Sequence, residues 1–401
     1  MRLTTLKNIL SGLLILIFAA ACGPALAPLP TPTATLAAVA TDTSASVQPT
    51  PTLTATITSA PVKSLQVLGT FPSIQSIRML DANNGWGLTQ DQVLRTNDGG
   101  TSWYNATPAG MTDAGQTSTF FLNDTTAWVV ASGGDPTSGT IYHTADGGAN
   151  WTSTAVPFGG GSMQFIGPTN GWILVGLGVA MSHEAVAVFR TSDGGATWSQ
   201  VFTDAPQAVN TNDSLPFVGD KSGLAASDND HAWVTGSEPM SDFIYLYSTQ
   251  DGGRTWTGQT AVLPSAYAGA MTGSNPPRIF PGGELVLPVG VYANTAALVL
   301  YTSRDLGKTW TAGAPVPING SASLPTPTDF FAWDGGPALY VSQDGGATWA
   351  TVATDVNLKD SLSSFQFVDA NTGWAITSDA SGNYTLYRTQ NGGVEWDVLN
   401  P

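Results

Sequence analysis

Four glutamates, eight arginines, three histidines and one cysteine bound the chemistry open to this chain of 401 residues. Two-carboxylate glycoside hydrolysis needs a pair of acids at a set separation, one to protonate the leaving group and one to act as base or nucleophile. Glu395 lies inside a repeated turn. Glu184, beside His183 in the loop 179–185, and Glu238 are the leading acid candidates, together with several loop aspartates. A carboxylate in a polar loop is ordinarily solvated, and only a perturbed pKa in a cleft would mark it as catalytic. His143, His183 and His231 are scattered without metal-ligand spacing. Ser227-Asp228-Asn229-Asp230-His231 lacks the ligand count of a calcium loop. Gly159-Gly160-Gly161 has no following lysine or helix, and no Gly-x-Ser-x-Gly elbow occurs. The sequence therefore assigns no catalytic residue, no metal and no cofactor.

What must position any site is a repeat. The phrase Ser/Thr-x-Asp-x-Gly-x-x-Trp recurs seven times, centred on Asp98, Asp146, Asp193, Asp251, Asp305, Asp344 and, with the acid replaced, Asn391. A period near fifty residues signals an array of small β units. Each copy follows a short strand-like run, such as Thr140-Ile141-Tyr142, and leads into a strand carrying the Trp, so it reads as a hairpin turn. The acid is placed to accept hydrogen bonds from the turn's own amides, and the glycines supply positive φ. Every residue of the phrase thus has a folding role.

A second register of tryptophan, at Trp86, Trp128, Trp172, Trp233, Trp333 and Trp374, precedes six of the seven turns and accounts for the remainder of the thirteen. One unit reads as four strands: Thr119-Phe120-Phe121-Leu122, Ala127-Trp128-Val129-Val130, Thr140-Ile141-Tyr142 and Trp151-Thr152-Ser153-Thr154. Four strands in seven repeats predict an all-β fold, a seven-bladed β-propeller of four-stranded blades with one such turn in each. Runs near 77–80, 120–122, 165–166 and 365–368 are then the innermost strands, facing the axis. The loops 204–223 and 261–277 exceed the norm of the array and are expected on a functional side. Segment 64–69 is expected to pair beside the last strand of blade 7 and latch the ring.

The turns match the Asp-box, or bacterial neuraminidase repeat, and their combination with Asn-Gly-Trp turns (Asn84-Gly85-Trp86, Asn170-Gly171-Trp172) resembles the photosystem II stability and assembly factor family. That resemblance implies a non-catalytic propeller that docks on a membrane protein complex or another extracytoplasmic protein. It also implies a docking role for arginines just before the boxes, matched here by Arg95, Arg190 and Arg388. His143, Tyr247 or Ser248, Thr302 and Val341 stand at the corresponding position in the other repeats and interrupt such a patch. The same box occurs in sialidases and xyloglucan hydrolases, so a glycan-binding or glycoside hydrolase propeller is the alternative. A sialidase needs three arginines converging on a substrate carboxylate. Arg2 is near the start, Arg254 and Arg304 sit inside boxes, and only Arg78 and Arg278 occupy positions from which an inner strand can aim them at the axis. These two complete the binding candidates.

Residues 1–21 have a basic start, an apolar stretch from Ile9 to Phe18 and small residues before Cys22, which reads as a signal peptide with a lipid-attachment cysteine. Residues 22–62 are rich in Pro, Thr and Ala and read as a disordered stalk, and 63–401 as the propeller. The expected location is extracytoplasmic, lipid-anchored to the cell membrane. With one cysteine no intramolecular disulfide can form. Thirteen basic against 29 acidic residues, a net charge of -16, argues against nucleic acid, whose binding depends on phosphate neutralisation. A membrane partner or a surface glycan remains.

Overall fold

The computed structural model describes residues 65–399, apart from 112, 116, 181–182 and 206–213. The expected signal segment, Cys22 and the stalk lie outside the described residues. The remainder is all-β but for one short 3-10 turn, Ser265–Tyr267.

Seven antiparallel blades follow one another in chain order, each built as four strands from the axis outward. Blade 1 runs Ser76–Met79, Gly85–Leu88, Val93–Thr96 and Tyr104–Asn105, and blade 2 begins at Ser118–Phe121. Blades 3 to 7 begin at Ser162–Phe165, Asp220–Ala226, Arg278–Ile279, Ser321–Ser323 and Leu362–Phe367. The box always joins the third strand to the fourth. In box 1, Thr96 Oγ1 donates to Asp98 Oδ1 at 2.9 Å and accepts from the Gly100 amide at 2.9 Å, while the Ser102 amide and hydroxyl donate to the Asp98 carboxylate. The pattern recurs down to Asn391, whose Oδ1 accepts from Thr389 and from the Glu395 amide, both at 3.0 Å. Donated hydrogen bonds favour the ionised acid. The Thr309 hydroxyl and amide hold Asp305 down to about 2, and those of Thr348 do the same for Asp344.

Packing is between blades. Seven apolar clusters are found, one at each junction. The cluster that closes the ring sets Trp374, Ile376 and Leu386 of blade 7 against Ile74, Met79, Leu94 and Trp103 of blade 1. Trp374 Nε1 also donates to the Gly99 carbonyl at 2.9 Å, as Trp128 Nε1 does to Gly194 of blade 3 at 2.8 Å. The ends therefore meet as an ordinary junction. The Gln366 carboxamide adds a two-way bridge to the backbone of Met79, at 3.0 and 2.6 Å.

Two expectations are corrected and a third is refined. Segment 64–69 does not pair with blade 7: Gln66–Val67 pairs with Tyr104–Asn105 as a fifth, outermost strand of blade 1. Hydrophobic burial draws it there, since Leu68 and Phe71 pack into the 7/1 cluster. The loop 261–277 is not a plain loop: Met271–Ser274 within it forms an extra strand paired both to Ser237 of blade 4 and to Val289–Tyr292 of blade 5, and Gly273, Asn275, Pro276 and Pro277 line a cavity. That strand welds two blades into one sheet. Lastly, the second tryptophan register breaks in blade 6. Elsewhere the Trp lies directly across from the residue preceding the box, as Trp86 from Arg95. In blade 6 that place opposite Val341 belongs to Phe331, with Trp333 two residues further along. In blade 5, which has no second-register Trp, Val286 holds it opposite Thr302.

Candidate functional site

The cross-strand register explains the arginines before the boxes. Arg95, Arg190 and Arg388 lie opposite Trp86, Trp172 and Trp374. Each guanidinium sits over its indole, with Cζ 4.8, 4.4 and 5.5 Å from the ring centroid. Each then reaches the next blade. Arg95 donates to the Asp124 carbonyl, Arg190 to the Gly252 carbonyl at 3.3 Å, and Arg388 to the Ala82 carbonyl at 3.1 Å. His143, at the same position in blade 2, stacks on Trp128 with centroids 4.8 Å apart. Burial lowers the pKa of Arg95 and Arg190, against the pull of Asp124 and Asp230. A flat cation on an indole face, with a carbonyl of the next blade on one N–H and its buried Nε left without a partner, is a blade-to-blade staple. All three are half-buried.

The neighbouring box records the staple. The first box glycines have φ near +75°, a value that disfavours any side chain. At Gly99, Gly147 and Gly252 a Cβ would also fall onto the guanidinium of Arg388, Arg95 and Arg190 respectively. Blade 4 carries Ser248 in place of the arginine, and the box of the next blade, which a staple there would reach, is the one with Leu306, held at φ 58°. A side chain has space there, at the cost of strain.

Arg78 and Arg278 stand apart from this scheme. Arg78 is on the innermost strand of blade 1 and Arg278 on that of blade 5, three steps apart in a ring of seven, the largest separation available. Both line one cavity of ≈ 700 Å³ that is bounded by blades 1, 5, 6 and 7. Its lining contains these two arginines and neither Asp nor Glu. Both side chains are accessible to solvent inside the ring. Enclosure and, second, the charge of Arg278 push Arg78 down to about 10, and enclosure lowers Arg278. Arg278 Cζ lies 5.7 Å from the ring centroid of Phe280.

The acid candidates are not brought together in that cavity. Glu184 begins the third strand of blade 3, and its Oε2 accepts from the Lys221 amide at 2.6 Å. Lys221 Nζ, fully buried, donates to the carbonyls of Glu184, Phe217 and Gly219 at 2.9, 3.1 and 3.1 Å and lies 3.8 Å from Asp204. Burial pushes Asp204 up and Lys221 down. This ion pair fixes the described parts of loop 204–223 over the 3/4 junction, a role legible only as the rare placing of a lysine at the start of an inner strand. Glu238 follows the second strand of blade 4 and is half-exposed. In 227–231, Asp228 Oδ1 accepts from the amides of Asp230 and His231, both at 2.8 Å, which is an Asx turn. Among the described residues no group of His, Cys, Asp and Glu is placed to hold a metal ion.

Residues 56–218 match the family model described as photosynthesis system II assembly factor YCF48. No curated protein sequence matches the chain. Among solved structures it is similar to a YCF48 bound to a D1 peptide, at 20% identity and TM-score 0.49, covering 82% of this chain and 94% of that one. A GH74 xyloglucanase from Xanthomonas campestris is similar at 15% identity and TM-score 0.54, covering 84% of this chain and 56% of that one. An ulvan lyase bound to its glycan is similar at 11% identity and TM-score 0.52, covering 83% and 97%. At such identities the likeness to these enzymes shows the fold alone. The chain is a BNR-repeat β-propeller that resembles the photosystem II assembly factor.

Proposed function

We propose that the propeller is a non-catalytic binding scaffold of the assembly-factor kind, held outside the cytoplasm by a lipid on Cys22 and docking on a membrane protein. The match of residues 56–218 to the assembly-factor model carries this reading. The site chemistry supports it: the central cavity is lined without a carboxylate, so a two-acid hydrolysis has no groups to run on there. Half-buried Arg95, Arg190 and Arg388 serve as part of the docking face in this reading, in addition to their blade contacts.

The test is crosslinking and affinity capture from native membranes with a tag after Pro401. Recovery of an integral membrane protein supports the reading. Recovery of surface polysaccharide alone would replace it with the glycan-binding alternative. Because Arg→Ala at the staples also loosens the ring, each variant is compared at a temperature where its melt shows it fully folded.

A further inference from the structure

A chain with 29 acidic residues against thirteen basic ones nevertheless lines its central cavity with two arginines and no carboxylate. Among the described residues neither arginine has an ion-pair partner, and no carboxylate among them acts on the charge of either. Each is near enough to the other for like-charge repulsion to be felt at Arg78. The three stapling arginines show the alternative this fold offers, each with a carbonyl of the next blade and an indole face. Arg78 has neither kind of partner.

Two unpaired like charges held together inside a ring are unfavourable unless something of opposite charge joins them. Low-dielectric walls around a single sign of charge focus the field and concentrate counter-ions. A guanidinium fork matches a carboxylate in bidentate geometry. Around the pair, the side chains of Asn275, Asn319, Ser321 and Ser364 line the same space, exposed to it and without hydrogen-bond partners of their own. Ile77 and Phe365 provide apolar wall. A volume of ≈ 700 Å³ suits a small organic molecule.

We infer that the central cavity is a binding site for a small organic dicarboxylate, with one carboxylate on Arg78 of blade 1 and the other on Arg278 of blade 5. The amides and hydroxyls along the wall complete the carboxylate oxygens, and the apolar residues cover the chain between them. This site is independent of the docking reading, which concerns the outer face.

Calorimetric titration of the purified propeller with linear dicarboxylates from succinate to suberate, at ionic strength fixed with chloride, tests it. The expected result is saturable 1:1 binding of at least one chain length. Affinity should fall at least tenfold in Arg78→Gln and in Arg278→Gln, and at least tenfold for butyrate against wild type. Without probe, both variants should melt at or above the wild-type temperature, since each relieves a like-charge contact. Absence of saturable binding across the series overturns the site, as does binding that the Gln variants retain. A variant that melts lower without probe also overturns it, because the second charge would then be structural.

Discussion

Five arginines of this propeller occupy two kinds of place, and the contrast separates what holds the ring from what the ring holds. At the junctions Arg95, Arg190 and Arg388 are consumed by structure, each flat on an indole and bonded to a carbonyl of the next blade. In the cavity Arg78 and Arg278 face solvent and each other. A resemblance to a docking family draws the eye to the first group because it sits in the repeat. The geometry gives the first group a structural role and leaves the second group's charge unspent.

The largest effect that sharpens this contrast is expected at Gly252. Gly252→Ala forces a side chain into left-handed backbone, about 1 kcal/mol, and drives its Cβ onto Arg190, with about 1–3 kcal/mol more for overpacking. Gly392→Ala meets chiefly the first penalty, because blade 6 carries Val341 where a stapling arginine would stand and the nearest atom is the Ala370 carbonyl at 3.2 Å. Urea melts of the two variants should therefore differ by about 2 kcal/mol; equal losses would break the idea that the staple occupies the box of the next blade.

Next in size is acid. The folded-state pKa of Asp305 and Asp344 is depressed to about 2, and those of Asp98, Asp146, Asp193 and Asp251 are lowered too. Their contribution is fully present above the unfolded value near pH 4 and is lost as pH falls through the folded values toward 2. Melting temperature should decline across that window. Asp305→Asn should flatten the decline, as Asn391 already shows a box working without a carboxylate.

A smaller gain is expected at Leu306, the non-glycine box residue held at φ 58°. Leu306→Gly should raise stability by about 1 kcal/mol, read as a shift in the urea midpoint. A loss would mean that the leucine side chain, rather than its backbone, matters there. Smallest is removal of the fifth strand of blade 1 by starting the chain at Phe71. The ring closes by Trp374, Gln366 and the 7/1 cluster, so a drop of a few degrees is expected; a collapse would restore the latch.

Much of the fold was legible because the box and its tryptophan are local: turn chemistry and cross-strand pairs act over a dozen residues. The Arg–Trp staple was legible only in part. Spacing places Arg95 before its box, but it is the register that sets it across from Trp86. Trp333 is the conspicuous residue on its strand, but the register gives the place opposite Val341 to Phe331. The strand Met271–Ser274 was hidden by its Gly and Ser content and by a partner, Ser237, in another blade. Arg78 and Arg278 could be placed on inner strands from sequence, yet their sharing of one cavity depends on ring closure, which no local pattern encodes.

The central claim is that the junction arginines are structural and the cavity arginines are reserved for a ligand. Urea denaturation of Arg190→Ala beside Arg278→Ala, without added anion, tests it most directly. The account predicts a loss of about 2 kcal/mol for Arg190→Ala, from the indole contact and the orphaned carbonyl, and no loss or a slight gain for Arg278→Ala. Equal losses, or a greater loss at Arg278, would contradict it.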